Sequence, residues 1–145
     1  MSTVTILGAG VMGSSMSLPA CDRGHTVRLV GTHLDRDIID SVAGTGRHPK
    51  LNVKLPDGIS AFHHEAFASA LGTDTDLIVL GVSSAGIGWA IDRICDALVQ
   101  PVPIVMITKG MHPEAAGLTA LPDHVAREVK RRKGFDLTVA AIGGP

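Results

Sequence analysis

Short apolar runs recur along this chain, separated by longer stretches of mixed polarity. The run at 77–82, LIVLGV, is apolar throughout, as expected of a strand that is buried on both faces of a parallel sheet. The other runs also have the length and composition of strands. The pattern therefore predicts six strands, at 3–7, 26–30, 59–62, 77–82, 104–107 and 137–142.

The stretches between these runs predict helices at 11–23, 36–42, 64–71, 85–98 and 123–133. The clearest is 85–98, in which apolar residues recur at helical spacing on one face: Ile87, Ala90, Ile91, Ile94 and Leu98. Strands that alternate with helices indicate an α/β fold with a doubly wound, Rossmann-like parallel sheet, in the strand order 3-2-1-4-5-6. The segments 43–57 and 111–122 are rich in glycine and proline, and we expect them to be irregular.

The first predicted strand runs directly into a glycine motif, Gly8-x-Gly10-x-x-Gly13, and a predicted helix follows. In this context Gly8 permits a tight turn, Gly10 lets a pyrophosphate approach the backbone, and Gly13 lets the helix lie close to the strand. The positive end of the helix would then face the phosphates. The motif predicts a dinucleotide-binding site formed by Gly8, Gly10, Val11, Met12 and Gly13.

The end of the second strand is where folds of this type distinguish NAD from NADP. A carboxylate there would bind the ribose hydroxyls, whereas basic residues favour a 2′-phosphate. The sequence continues from residue 31 as GTHLDR, so Thr32, His33 and Arg36 are candidates for a 2′-phosphate site. Asp35 could instead reach the ribose or cap the following helix. We expect NAD or NADP as the cofactor, and favour NADP.

Length, charge and composition exclude several classes of partner. The chain of 145 residues fits a single domain, and its net charge of −1 gives no sign of a nucleic-acid surface. No apolar run has membrane-spanning length and no signal peptide is recognised, so we expect a cytoplasmic protein. Cys21 and Cys95 are interpreted as buried thiols. His63, His64 and Glu65 are adjacent and point apart, so no metal site is expected.

Further polar residues follow predicted strands, at the edge where open α/β sheets bind ligands. Ser83 and Ser84 come after the fourth strand, and Lys109 comes after the fifth. The long connection at 43–57 carries a basic cluster that includes His48. Connections of this length are often functional, which makes this segment a candidate as well.

Five segments, taken in order, resemble those of a known family: GAGVMG at 8–13, GRHPKLNVKLP at 46–56, LGVSSAG at 80–86, TKGM at 108–111 and IGGP at 142–145. The set is similar to the amino-terminal, coenzyme-binding domain of NAD(P)-dependent glycerol-3-phosphate dehydrogenase, especially of archaeal forms. The resemblance covers the whole chain.

The resemblance implies an oxidoreductase that interconverts dihydroxyacetone phosphate and sn-glycerol 3-phosphate with NAD(P)H. It implies that Ser83 and its neighbours line the nicotinamide side, and that the 46–56 loop, with His48, lies over the cofactor cleft. It also implies that Lys109 is catalytic, either neutralising the substrate phosphate or polarising the carbonyl oxygen.

In this family a helical domain with the acid/base lysine follows the G-P motif. We therefore expect residues 1–145 to be the cofactor-binding domain without the catalytic domain, with little turnover alone. An exposed apolar surface near 142–145 and along 123–133 is expected, through which the chain could self-associate. The alternatives are a ketopantoate reductase, a hydroxyacid or hydroxyacyl-CoA dehydrogenase, or a nucleotide-sensing module without catalysis.

Overall fold

The computed structural model describes residues 1–143. Within that range the elements are β1 (Thr3–Leu7), α1 (Val11–Asp22), β2 (Thr26–Val30), α2 (Arg36–Thr45), β3 (Arg47–His48), β4 (Val53–Lys54), β5 (Ile59–Phe62), α3 (Phe67–Leu71), β6 (Leu77–Leu80), α4 (Ile87–Ala97), β7 (Ile104–Met106), β8 (Met111–Glu114), β9 (Gly117–Ala120), α5 (Leu121–Lys133) and β10 (Val139–Ala141). Single turns of 3-10 helix precede α3, at His64–Ala66, and α4, at Ser84–Gly86.

Six strands form one parallel sheet, in the order β10-β7-β6-β1-β2-β5. Read from the other edge this is the predicted order 3-2-1-4-5-6, so the prediction of a doubly wound sheet is confirmed. β1 pairs with β2 on one side and with β6 on the other. The direction of winding reverses between β1 and β6, which places the ligand crevice of such a fold at the carboxyl ends of these two strands.

Helices cover both faces of the sheet because successive side chains of each strand point to opposite faces. On β1, Ile6 packs into a cluster with Ile39 of α2, whereas Leu7 packs into the cluster that contains α3, α4 and α5. Both side chains are completely buried. The predicted apolar face of 85–98 is confirmed, since all its members are buried in the second cluster: Ile87, Ala90, Ile91, Ile94 and Leu98.

The segment 43–57 is not irregular, as the sequence had suggested. α2 continues to Thr45, and β3 and β4 then form a short antiparallel hairpin. Its turn contains Asn52 at φ 53°, a left-handed conformation that asparagine tolerates better than most residues. Polar turn residues here mark a hairpin, which is why the prediction of an unstructured connection was wrong.

The segment 111–122 corrects the sequence prediction in the same way. β8 and β9 form a second antiparallel hairpin, with Gly117 at φ 134° where the two strands meet. α5 begins at Leu121, with Pro122 in its first turn, two residues before the predicted start at Asp123. Proline is well placed there, because the first turn of a helix does not need its missing N–H group.

The predicted exposed apolar face of α5 is also wrong. Leu121, Val125 and Val129 are at most 3% exposed and pack in the core, so this helix contributes to the fold rather than to an open surface. Ile142, after β10, is 45% exposed, as expected for that end of the chain. Gly144 and Pro145, the rest of the predicted segment, lie outside the described residues.

The two cysteines differ from each other. Cys95 is buried, as predicted, but Cys21 is partly exposed. The pKa of the Cys21 thiol is raised, mainly by its partial burial and to a smaller extent by the negative charge of Asp22. None of the helices in residues 1–143 combines the length and the hydropathy that crossing a bilayer requires.

Candidate functional site

The glycine turn is built by three glycines that leave no room for side chains. Gly8 has φ 112°, and a Cβ atom on it would lie 2.6 Å from the Gly81 carbonyl oxygen at the end of β6. A Cβ atom on Gly13 would lie 1.9 Å from the Gly8 carbonyl oxygen. The tight turn at Gly8 and the close packing of α1 at Gly13 are therefore as predicted, and Gly81 is a third contributor that the sequence motif did not reveal.

Gly10 has different surroundings. A Cβ atom on it would meet nothing within 4 Å, so its backbone faces open space. It is the N-cap residue of α1, a helix with no side-chain cap and no acidic residue in its first turn. Such a helix end presents unpaired amide groups and a positive dipole, which together favour an anion.

A cleft of about 200 Å³ lies against this turn, at the switch point of the sheet. It brings together the turn after β1, the segment after β2 and the segment after β6, as parallel strands require. Its lining comprises Gly8, Gly10, Thr32, His33, Leu34, Asp35, Gly81, Val82, Ser83, Gly86 and Trp89. Five of these residues were predicted from the sequence as cofactor-binding: Gly8, Gly10, Thr32, His33 and Ser83.

Trp89 is a lining residue that sequence reasoning missed. It lies on α4, off the apolar face, and it forms an aromatic cluster with two histidines. Its ring centroid is 6.0 Å from that of His33 and 6.1 Å from that of His64, with edge-to-face geometry. The signal available in the sequence was that this is the sole tryptophan of the chain. An aromatic rim of this kind suits a planar base.

A second cleft, of about 300 Å³, adjoins the first and shares Gly10, Gly81, Val82 and Ser83 with it. It also contains the predicted residues Val11 and Met12, which are 42% and 63% exposed. Thr108, at the end of β7, lines it and donates a hydrogen bond to the Val82 carbonyl oxygen at 2.6 Å.

Lys109 follows Thr108 directly and is exposed. It is not among the residues that line either cleft. Within residues 1–143 its ammonium group forms no salt bridge with a carboxylate, which leaves it available to an anionic ligand. Ser84 is not brought to either cleft. It lines a separate depression of about 390 Å³ with His112 and His124, between α4 and the β8–β9 hairpin.

Asp35 occupies the N-cap position of α2 but does not cap that helix with its side chain. Its Oδ2 atom accepts hydrogen bonds from the Thr32 amide at 2.8 Å, the Thr32 hydroxyl at 3.0 Å and the Ala9 amide at 3.2 Å. The capping role that the sequence allowed is therefore wrong, and the carboxylate lies in the cleft beside the glycine turn.

Arg36 is exposed and forms an ion pair with Glu65. It does not line the cleft, unlike Thr32 and His33. The pKa of Glu65 lies below its usual value, first because the Glu65 backbone donates a hydrogen bond to the carboxylate, and then because of the charges of Arg36 and His64. The carboxylate therefore stays ionised near neutral pH and competes with any other anion for Arg36.

His48 is completely buried behind the glycine turn, and neither ring nitrogen is free. Nε2 donates a hydrogen bond to the Ala9 carbonyl oxygen at 3.0 Å, and Nδ1 accepts one from the Leu51 amide at 3.1 Å. The expectation that His48 offers its ring to a cofactor does not fit this geometry, because burial and full hydrogen bonding leave it no polar atom to share.

The pair His63–His64 has separate partners. His63 Nε2 lies 2.9 Å from an oxygen of Asp40, whereas His64 lies 3.4 Å from Glu65. In the part of the chain that the structure describes, no group of three or more histidine, cysteine or acidic side chains could hold a metal ion.

Comparison with known proteins agrees with this architecture. Residues 3–145 match the sequence model of a family described as NAD-dependent glycerol-3-phosphate dehydrogenase N-terminus. The chain is 37% identical to NADP(+)-dependent glycerol-3-phosphate dehydrogenase of Archaeoglobus fulgidus over 124 residues, covering 86% of this chain and 36% of that relative.

Two solved structures share the fold. Glycerol-3-phosphate dehydrogenase (gpsA) from Coxiella burnetii matches with a TM-score of 0.79 at 23% identity, over 99% of this chain and 41% of that one. A PanE/ApbA family ketopantoate reductase from Ralstonia eutropha JMP134 matches with a TM-score of 0.63 at 21% identity, over 96% of this chain and 40% of that one. The chain thus spans between 36% and 41% of the length of these three relatives.

Proposed function

We propose that this chain, which belongs to the family of NAD-dependent glycerol-3-phosphate dehydrogenase amino-terminal domains, is the cofactor-binding part of an oxidoreductase. In this proposal it binds NADP(H) in preference to NAD(H), and the whole enzyme interconverts dihydroxyacetone phosphate and sn-glycerol 3-phosphate. Family membership agrees with the resemblance stated from the sequence. It favours this substrate over the ketopantoate reductase and hydroxyacid or hydroxyacyl-CoA dehydrogenase alternatives.

The observation that carries the proposal is that one turn combines two enclosed glycines with one glycine whose backbone is open. Gly8 and Gly13 are enclosed by backbone, whereas Gly10 faces empty space at the positive end of α1. A pyrophosphate needs this combination, because its oxygens must approach backbone amide groups that no Cβ atom shields. The cleft beside the turn leads to Asp35 and to the aromatic rim of His33 and Trp89, so the residues present fit a dinucleotide.

The proposed preference for NADP(H) rests on the segment after β2. Thr32 and His33 line the cleft, and Arg36, the first residue of α2, follows them in sequence but does not line it. Among the described residues that line the cleft, Asp35 is the sole carboxylate, and it already accepts three hydrogen bonds. The Archaeoglobus fulgidus relative is itself named as NADP(+)-dependent. Ser83 and Gly81, in both clefts, would then lie toward the nicotinamide side.

When bound, the nicotinamide cofactor supplies or accepts a hydride. The chain's own contribution to that step would come from Lys109, whose exposed ammonium group can hold a phosphate or stabilise negative charge on a carbonyl oxygen. Thr108 ties the end of β7 to β6, and so it fixes the strand end from which Lys109 projects. A positioned group for proton transfer is also needed. We propose that a region corresponding to the rest of the relatives' length supplies this group. The chain alone would then catalyse the reaction only weakly.

We propose a phosphorylated small molecule as the substrate of the whole enzyme and a cytoplasmic location, with both Cys21 and Cys95 present as free thiols. We also propose that the chain alone can self-associate through its carboxyl edge.

Calorimetric titration of the chain with NADPH and with NADH, side by side, tests the proposed function. Tighter binding of NADPH is the expected result. Tighter binding of NADH would overturn the cofactor preference and point to Asp35 as the ribose ligand. Binding of neither nucleotide would contradict the proposal that this turn is a working dinucleotide site in the chain.

A further inference from the structure

Ala9 lies between the first two glycines of the turn. Side chains form hydrogen bonds both to its backbone amide and to its carbonyl oxygen. Its amide donates to Asp35 at 3.2 Å, and its carbonyl oxygen accepts hydrogen bonds from Ser14 Oγ and His48 Nε2, each at 3.0 Å. Ala9 itself is completely buried. Three side chains from three different parts of the chain therefore fix a single residue of the turn.

His48 is held in one state by its two partners. The Ala9 carbonyl oxygen can only accept, so Nε2 must carry a proton, and Nδ1 accepts from the Leu51 amide at 3.1 Å and so carries none. The two hydrogen bonds therefore define the tautomer of the ring.

The β3–β4 hairpin gives His48 a rigid base. The His48 backbone pairs with Val53, and the Leu55 amide donates to the Gly46 carbonyl oxygen at 2.8 Å. Leu55 is only 3% exposed and belongs to the core cluster on the α2 side of the sheet. The hairpin is thus anchored in the core at one end and reaches back to the glycine turn with one imidazole.

We propose that His48 is a positioning residue for the dinucleotide site: through the Ala9 carbonyl it holds the glycine turn in the shape that binds phosphate. Glycine populates more backbone conformations than any other residue, so a turn with glycines at positions 8 and 10 does not keep one shape by itself. Backbone amides bind an anion well only when they are aligned beforehand. The identity of the ligand rests on the proposed function, but the clamp on Ala9 does not.

Two variants separate the two bonds of the imidazole. His48→Gln places an amide nitrogen near the position of Nε2 and keeps a donor for Ala9. His48→Asn reaches only as far as Nδ1, so it keeps an acceptor for Leu51 and loses the bond to Ala9. His25→Asn is the matched control, because His25 also accepts a backbone amide, from Ser2 at 3.2 Å, but lies at the amino edge of the sheet.

Two readouts are measured on the chain: NADPH affinity by calorimetry, and amide hydrogen exchange of residues 8–12 without nucleotide. We expect His48→Asn to bind NADPH about tenfold more weakly and to exchange these amides faster than the unmodified chain. His48→Gln should recover most of both properties, and His25→Asn should change neither.

Three results have distinct meanings. Unchanged affinity and exchange in His48→Asn would overturn the proposal. Equal losses of affinity in His48→Asn and His48→Gln, in step with equal losses of thermal stability, would also overturn it, since His48 would then be only structural. Faster exchange in His48→Asn alone, in a chain that binds neither nucleotide, would support the clamp while contradicting the proposed function.

Discussion

At the scale of single residues, Gly10 and Gly13 belong to the same motif but do different work. The space around Gly13 is filled by the backbone of the turn, whereas the space around Gly10 is empty. Which of the two glycines is substituted therefore decides whether the change affects mainly folding or mainly binding.

Gly13→Ala should unfold or strongly destabilise the chain, because its methyl carbon would lie 1.9 Å from the Gly8 carbonyl oxygen. We expect a loss of about 3 kcal/mol or more in the free energy of unfolding. Gly10→Ala is the matched control, with an expected loss of about 1 kcal/mol or less. It should nevertheless bind NADPH at least about tenfold more weakly, since the methyl group would stand where a pyrophosphate meets the backbone.

Urea unfolding and calorimetric titration of both variants check this prediction. A Gly13→Ala chain as stable as the unmodified one would refute the packing argument. A Gly10→Ala chain with undiminished affinity would show that the phosphates do not lie over this residue.

At the scale of elements, an exposed ion pair joins α2 to the turn before α3. Arg36 contacts Glu65, and both side chains are about half exposed, so the pair contributes little to stability. Its importance for binding is larger, because Arg36 is the cation closest in sequence to the proposed 2′-phosphate site.

Glu65→Gln should release Arg36 and raise NADPH affinity about two- to fivefold, with NADH affinity unchanged. Glu128→Gln serves as the control, since Glu128 pairs with Arg131 at 2.7 Å on α5, outside both clefts. Parallel titrations of both variants with the two nucleotides measure the effect. An equal gain for NADH, or no gain for NADPH, would place Arg36 outside the 2′-phosphate site.

A second contact between elements is the stacked pair of His112 on β8 and His124 on α5, with ring centroids 3.7 Å apart. Burial first, and then the charge of His112, lower the pKa of His124. Glu114, Glu128 and Arg127 also act on this ring, the two carboxylates in the opposite direction. His124 therefore binds a proton more readily in the unfolded chain than in the folded one. Its protonation lowers the free energy of unfolding as the pH falls below about 6.5, and it has no such effect well above that pH.

His124→Phe keeps an aromatic ring for stacking and removes the charge. Between about pH 7.5 and about pH 5.5, the free energy of unfolding should fall less in this variant than in the unmodified chain. Urea unfolding at the two pH values measures the difference, and identical pH dependence in the two chains would contradict the assignment to His124.

At the scale of the whole molecule, exposed apolar side chains gather at the carboxyl edge of the sheet. Met12 follows the turn after β1, Leu118 lies on the hairpin after β7, and Ile142 follows β10. Exposed apolar surface of this kind commonly marks an interface. In the described residues it lies on the same edge as the two clefts.

The chain alone should therefore self-associate as its concentration rises, and Leu118→Lys should reduce that association. Val99→Lys is a close control, because Val99 is 67% exposed against 68% for Leu118 but precedes β7 at the opposite edge. Sedimentation velocity over a range of concentrations measures both. A chain that stays monomeric throughout, or an equal effect of the two lysines, would rule out association through this edge.

Much of the architecture follows from the sequence because it depends on local rules. An apolar run with glycine behind it and a helical period after it specifies a strand, a turn and a helix without reference to the rest of the chain. The strand order then follows from short right-handed connections. Hence the six strands, the buried face of α4 and the enclosed positions of Gly8 and Gly13 could all be predicted, with errors of a few residues at the ends.

Only the tertiary structure decided where individual polar side chains point. Asp35 accepts a hydrogen bond from Ala9 instead of capping its helix, and Arg36 forms an ion pair with Glu65. His48 is buried behind the glycine turn, and Trp89 contacts the ring of His33. Each of these depends on a partner that is distant in sequence, and spacing along the chain carries no information about such a partner. The physical reason is that a hydrogen bond or an ion pair is specified by three-dimensional proximity, whereas strands, turns and helices are specified by neighbouring residues.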